Sequence, residues 1–110
     1  MKQGDIYLAR LEPTEGAEQS GTRPVVIISG NTMNRYFELV IVCPLSSRIK
    51  NYAGCVQLKK NMLNGLEVDS EIITFQIRTI AKARLTKRLG KISGDEFTEL
   101  LNGLAGVIRY

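Results

Sequence analysis

No histidine occurs among the 110 residues of this chain, so any proton transfer or phosphate chemistry must come from arginine, lysine, carboxylate, hydroxyl and amide groups. That absence excludes a Ser–His–Asp triad and a histidine acid–base pair. The two cysteines, Cys43 and Cys55, cannot fill the nitrogen and sulfur shell of a structural zinc centre. Cys43 lies in an apolar run and reads as a small buried hydrophobe. No Asp/Glu group has metal-ligand spacing, so no metal and no cofactor are expected.

The remaining candidates each carry two readings. Arg23 precedes Pro24 at the start of an apolar run. Taken alone it is a surface arginine in an ion pair. Its planar fork can also grip two oxygens of one phosphate and stays charged at every working pH. Ser46 and Ser47 follow Pro44 and suit either a turn that bonds its own backbone or a hydroxyl contact to an anion. Arg48 and Lys50 fit a phosphate-tracking loop or a solvated one. Gln76 and Arg78 can close a sheet or read base edges. Tyr36 and Phe37 can stack on bases, but before a strand they are more simply core.

These groups sit on a moderately basic chain, with 15 Lys and Arg against 11 Asp and Glu and a formal charge of +4. Lys82, Arg84, Lys87, Arg88 and Lys91 share a window free of acids, while Glu12, Glu15 and Glu18 cluster near the start. Either run alone is most simply a solvated face. The balance permits a polyanionic partner without demanding one. No basic-then-apolar leader opens the sequence, and no apolar stretch approaches the roughly 20 residues that span a bilayer. A cytoplasmic protein without membrane contact is expected.

The length suits one domain over residues 1–110, with 44% hydrophobic residues for its core. Short strands followed by one helix are predicted. The strands are 5–11, 24–29 (PVVIIS), 38–44 (ELVIVCP), 54–58 and 71–77, with a connector over 30–36 that has room for a helical turn. Polar loops fill 12–22 and 45–54. The segment 79–92 reads as a helical turn followed by a strand over 88–92. Ser93 and Glu96 form a capping box, and Phe97, Leu100, Leu101, Leu104, Val107 and Ile108 repeat at helical spacing behind it. The pattern predicts a mainly β protein, a small, strongly curved barrel with a C-terminal α-helix.

Three motifs resemble one family. Gly4–Asp5–Ile6–Tyr7, then EPTEGAEQSGTRPVV over 12–26, is similar to the N-terminal signature of the MazF/PemK/Kid toxins. Cys43–Pro44–Leu45–Ser46–Ser47 resembles that family's second motif. Gln76–Ile77–Arg78–Thr79–Ile80, with Lys82 and Arg84–Leu85, resembles its third. The resemblance implies an SH3-like barrel, a homodimer, and metal-independent cleavage of single-stranded RNA as the toxin of a toxin–antitoxin pair. It implies a cognate antitoxin with an acidic disordered tail. It also implies an arginine from the first motif and a threonine from the second as site residues. Arg23 matches the arginine, and Ser46 stands where the family has threonine. The Kid branch places an Arg and an Asp before the glutamine of the third motif; here those positions hold Ile73 and Phe75.

RNA cleavage through its own 2′-OH needs a proton taken, charge stabilised on the phosphorane, and a proton given to the leaving oxygen. Arg23 suits the second task and is a poor base. Ser46 can hold a phosphate oxygen. Glu18 can orient Arg23 or accept the 2′-OH proton. Gln19, Thr22, Ser47, Arg48, Lys50, Gln76 and Arg78 are the expected RNA-binding set. Two other functions on such a barrel are a gyrase-binding toxin like CcdB and a non-catalytic RNA-binding barrel. CcdB-like toxins act through a terminal Trp–Gly–Ile, and this chain has no Trp.

Overall fold

A computed structural model describes residues 1–11, 16 and 21–109. Its elements are β1 (Asp5–Arg10), β2 (Thr22–Ile27), α1 (Asn31–Tyr36), β3 (Leu39–Ser46), β4 (Val56–Leu58), β5 (Ser70–Ile72), β6 (Arg78–Ala81), β7 (Leu85–Lys91) and α2 (Gly94–Arg109). The strands form one curled antiparallel sheet in the order β4–β5–β3–β2–β1–β7, with β6 also on β3. Mainly β architecture with a terminal helix is what the sequence predicted.

The β-branched run of β2 feeds two cores. Val25 and Ile27 pack into one cluster with Leu11, Val40, Val42 and Ile80. Val26, between them, points to the other side and joins Ile6, Cys43, Leu45, Ile72, Leu100 and Leu104. A strand buried on both faces reads as an unbroken apolar run, because alternate side chains feed two cores. The capping box forms as expected: Ser93 N–H donates to Glu96 Oε1 at 2.8 Å, and Glu96 N–H donates to Ser93 Oγ at 3.1 Å. From there α2 drops Leu100 and Leu104 into the second cluster. Leu101 and Ile108, from the same predicted stripe, stay exposed.

Two expected elements are corrected. The strand predicted over 71–77 breaks after Ile72 into a 3-10 turn at Thr74–Gln76 before β6 begins. Both halves run along the same edge of β3. Leu45 pairs with Ile72 and Val42 with Arg78, so β3 advances three residues while its partner advances six. The surplus is taken up in the turn, which lifts Phe75 out of the sheet. The turn is pinned by Ile73 N–H on Pro44 O at 2.9 Å and by Thr74 Oγ1 on Gly54 O at 2.7 Å. The segment 79–92 is also mostly strand: β6 and β7 flank a 3-10 turn at Lys82–Arg84, because β7 pairs along β1 from Leu85 onward.

Tyr36 and Phe37 are not core; they are 70% and 56% exposed. Helix α1 is anchored instead by buried Asn34, whose Nδ2 donates to Ser29 O at 2.8 Å, so its C-terminal aromatics face outward. Leu39 and Ile77 are exposed as well, and Ile41 is only half-buried. Alternation sets Leu39 and Ile41 on the same face of β3, where they pair with Ala81 and exposed Thr79 of β6 and leave a strip uncovered. No helix among the described residues is long and apolar enough to cross a membrane.

Candidate functional site

Arg23 lies near the start of β2 and is half-buried, with exposed Thr22 beside it. The β2–β3 register pairs Val25 with Pro44. The paired ladder stops there, two residues short of Arg23 on one strand and of Ser46 on the other. Arg23, Thr22 and Ser47 line a groove of about 600 Å³ with Leu8, Leu45, Glu67 and Lys87. Thr22 also lines a neighbouring depression with Arg10 and Arg84.

Ser46 ends β3 and Ser47 opens the bend that follows, and the two line different depressions. Ser46 is buried, and its Oγ accepts the Arg48 N–H at 3.1 Å. That is the backbone-bonding turn that a serine after Pro44 suggests. The Arg48 carbonyl lies 3.5 Å from the same Oγ, a weak acceptor for its proton. Ser46 lines a second pocket of about 300 Å³ with Arg48, Lys50, Tyr52, Ile73, Phe75 and Gln76. The expected residues therefore divide over two adjoining depressions. Arg23, Thr22 and Ser47 share one; Ser46, Arg48, Lys50 and Gln76 share the other. Arg78 is half-buried and reaches Leu11 O at 3.5 Å, outside both linings. Glu18 and Gln19 lie outside the described residues.

Sequence reasoning missed three residues here. Glu71 is fully buried, and its carboxylate takes the Lys50 N–H at 2.9 Å and the Tyr52 N–H at 3.0 Å. It fixes the loop that carries Arg48 and Lys50. A lone acid at the head of the apolar run EIITF was the available signal. Tyr52 and Phe75 were the others. They meet edge to face with ring centroids 5.2 Å apart.

The electrostatics take Cys43 out of consideration as a nucleophile. Burial pushes the Cys43 thiol up to about 12, with a smaller push from Cys55, so it stays protonated. On β7, Arg88 pairs with buried Asp5 at 3.2 Å, and the hydrogen bond to that carboxylate raises the arginine further. Among the described residues, no three Cys, Asp or Glu side chains gather as a metal shell would require.

The family described as PemK-like, MazF-like toxin of type II toxin-antitoxin system matches residues 2–108. The chain is 41% identical over 106 residues to the endoribonuclease MazF of Staphylococcus saprophyticus, covering 94% of this chain and 88% of that one. Among solved structures it resembles MazF from Deinococcus radiodurans, with a TM-score of 0.87, 23% identity, and coverage of 100% of this chain and 97% of the other. It also resembles a mycobacterial endoribonuclease solved with its cognate antitoxin, with a TM-score of 0.82, 19% identity, and coverage of 99% and 95%.

Proposed function

The chain belongs to the PemK-like, MazF-like toxins of type II toxin–antitoxin systems, and on that premise we propose that it cuts single-stranded RNA in the groove lined by Arg23. It is an endoribonuclease toxin of the MazF type. The substrate's own 2′-hydroxyl gives up its proton to a base, Glu18 or solvent, as its oxygen bonds to the adjacent phosphorus; the bond from phosphorus to the 5′-oxygen breaks, and that oxygen takes up a proton. The products are a 2′,3′-cyclic phosphate and a 5′-hydroxyl. Nothing in this step requires a metal ion.

Arg23 donates its N–H fork to the phosphate oxygens as charge builds on them. Its half-buried seat strengthens that contact, because less water competes for the guanidinium. Ser46 adds its hydroxyl from the adjacent strand end. Its oxygen already accepts from Arg48, and its O–H can turn to a phosphate oxygen. The observation that most supports this reading is Arg23 lining an open groove with Thr22, Ser47 and Lys87, while the pocket that holds Ser46 also holds Arg48 and Lys50. Thr22, Ser47, Arg48, Lys50 and Gln76 hold the flanking nucleotides. An unpaired strand suits such walls because its bases can splay outward.

A cognate antitoxin supplies an acidic, disordered tail that competes for the same basic surface. Two copies of the chain pair through the uncovered strip on β3 and β6. The protein acts in the cytoplasm, where its RNA is.

The test is cleavage of single-stranded RNA in EDTA. Expected are cut products ending in cyclic phosphate, with an all-deoxy oligonucleotide left intact. Loss of cleavage in chelator with recovery in magnesium, or efficient cutting of the deoxy strand, overturns the mechanism.

A further inference from the structure

We infer that Tyr52 and Phe75 form a stacking site for one unpaired base of the bound strand. The inference rests on the RNA-cleaving function above and assigns a subsite within it.

Both rings are held open on a rigid frame. Tyr52 is 46% exposed and Phe75 is 45% exposed. Apolar rings that find no cover in their own fold serve most readily as contacts for a ligand. The backbone beneath each is fixed. Tyr52 N–H is bound by buried Glu71, and the neighbouring Asn51 adopts a left-handed φ of 58°, its Oδ1 accepting from Gln57 Nε2 at 2.7 Å. Phe75 sits at the middle of the 3-10 turn that interrupts the β3 edge, and Thr74 ties that turn to Gly54. Rings ordered in advance lose little freedom on binding.

The surroundings select a nucleotide. Arg48 and Lys50 line the same pocket and can meet phosphate, while Gln76 offers an amide that can meet a base edge. Ser46 lines it too, so a base held there belongs to a nucleotide close to the scissile phosphate. An edge-to-face pair leaves ring faces for stacking, and every base has a face to offer.

The experiment uses the full chain with two probes. The first is a fluorescein-labelled, randomised single-stranded DNA, which lacks the 2′-OH and is not cut; its binding is read by anisotropy. The second is a randomised single-stranded RNA pool whose cut ends are sequenced. Phe75→Ala and Tyr52→Ala are each expected to weaken DNA binding roughly five- to hundredfold. They should also relax base preference at one position near the cut and raise KM more than they lower kcat. Phe75→Tyr and Tyr52→Phe should behave like the parent, which separates the rings' role from folding. Binding and base preference unchanged in both alanine variants overturn the subsite while leaving the RNA-cleaving function intact. So does a parent that fails to bind the DNA probe but cuts RNA, or variants that lose only affinity for an antitoxin tail. Ring-dependent binding by a parent that cuts no RNA supports the subsite and overturns the cleavage function instead.

Discussion

Tyr52 donates its backbone N–H to Glu71 Oε2 at 3.0 Å, and the other oxygen of that carboxylate takes Lys50 N–H at 2.9 Å. One buried acid thus holds two alternate residues of the loop opposite Arg23's strand. Glu71→Gln keeps the volume but turns an amide NH₂ toward one of those N–H groups. It should cost about 1–3 kcal/mol in urea denaturation, the scale for a buried donor left unmet. KM should rise with it, since Arg48, Lys50 and Tyr52 all ride on the same backbone. A variant with parental stability and KM would show that the loop holds itself.

Arg23→Ala should slow single-turnover RNA cleavage by about 10²–10³-fold, the scale for one transition-state donor. Arg23→Lys should recover little, because an ammonium lacks the two-pronged geometry. Ser46→Ala should be milder, and Ser46→Thr should retain activity. Circular dichroism must show each variant folded. Parental turnover in Arg23→Ala would remove the arginine from the site.

Cys43 should resist alkylation in the native protein. Burial in the core favours its neutral form, and a thiol pushed up to about 12 stays protonated throughout the pH range in which the fold is handled. Iodoacetamide at pH 8 followed by mass spectrometry should place label on Cys43 only after unfolding. Rapid native labelling there would contradict its packing against Val26 and Leu45.

Gly103 on α2 passes so close to Gly54 that an added Cβ would lie 2.1 Å from the Gly54 carbonyl oxygen. The obstacle is backbone, and that carbonyl already holds Thr74 Oγ1, so it cannot simply swing aside. Gly103→Ala should therefore destabilise by about 1–3 kcal/mol despite alanine's better helix propensity. At Gly106 the same change meets nothing within 4 Å, so Gly106→Ala should be neutral or stabilising. Thermal melts of the two variants side by side check this.

The helix was legible because its signals are local: Ser93 and Glu96 cap it, and the leucines repeat within it. The β2 and β3 strands were legible for the same reason. Their apolar runs need no partner to be recognised. The break at Thr74–Gln76 was not, since TFQ has no breaker residue and the cause is a register mismatch along β3. The exposure of Tyr36 and Phe37 depends on where buried Asn34 anchors α1, which no spacing reveals. For the site, motif likeness named Arg23 and Ser46. It did not separate the two depressions, because that depends on β3 ending at Ser46 and the chain bending at Ser47. Glu71 acts across 19 and 21 residues of sequence, so local patterning gave no view of its partners.

The α2 stripe is an incomplete candidate for the contact between two copies, because Leu100 and Leu104 are spent on the chain's own core. Only Leu101 and Ile108 remain exposed from it. The β3–β6 strip is better placed: Phe37 and Leu39 are exposed, Ile41 is half-buried, and Ile77 is exposed at its far end. An uncovered strip on a strand pair suits a symmetric interface, in which the same patch meets itself. A domain this small also gains most from covering such surface. The protein should sediment as a dimer at micromolar concentration. Leu39→Glu should shift it to monomer, and because Leu39 is 46% exposed the fold should survive the change. Leu101→Glu, on the helix, should leave the dimer intact. Sedimentation of all three across a dilution series decides between the faces. A monomeric parent at every concentration, still cutting RNA, would show that pairing is neither present nor needed.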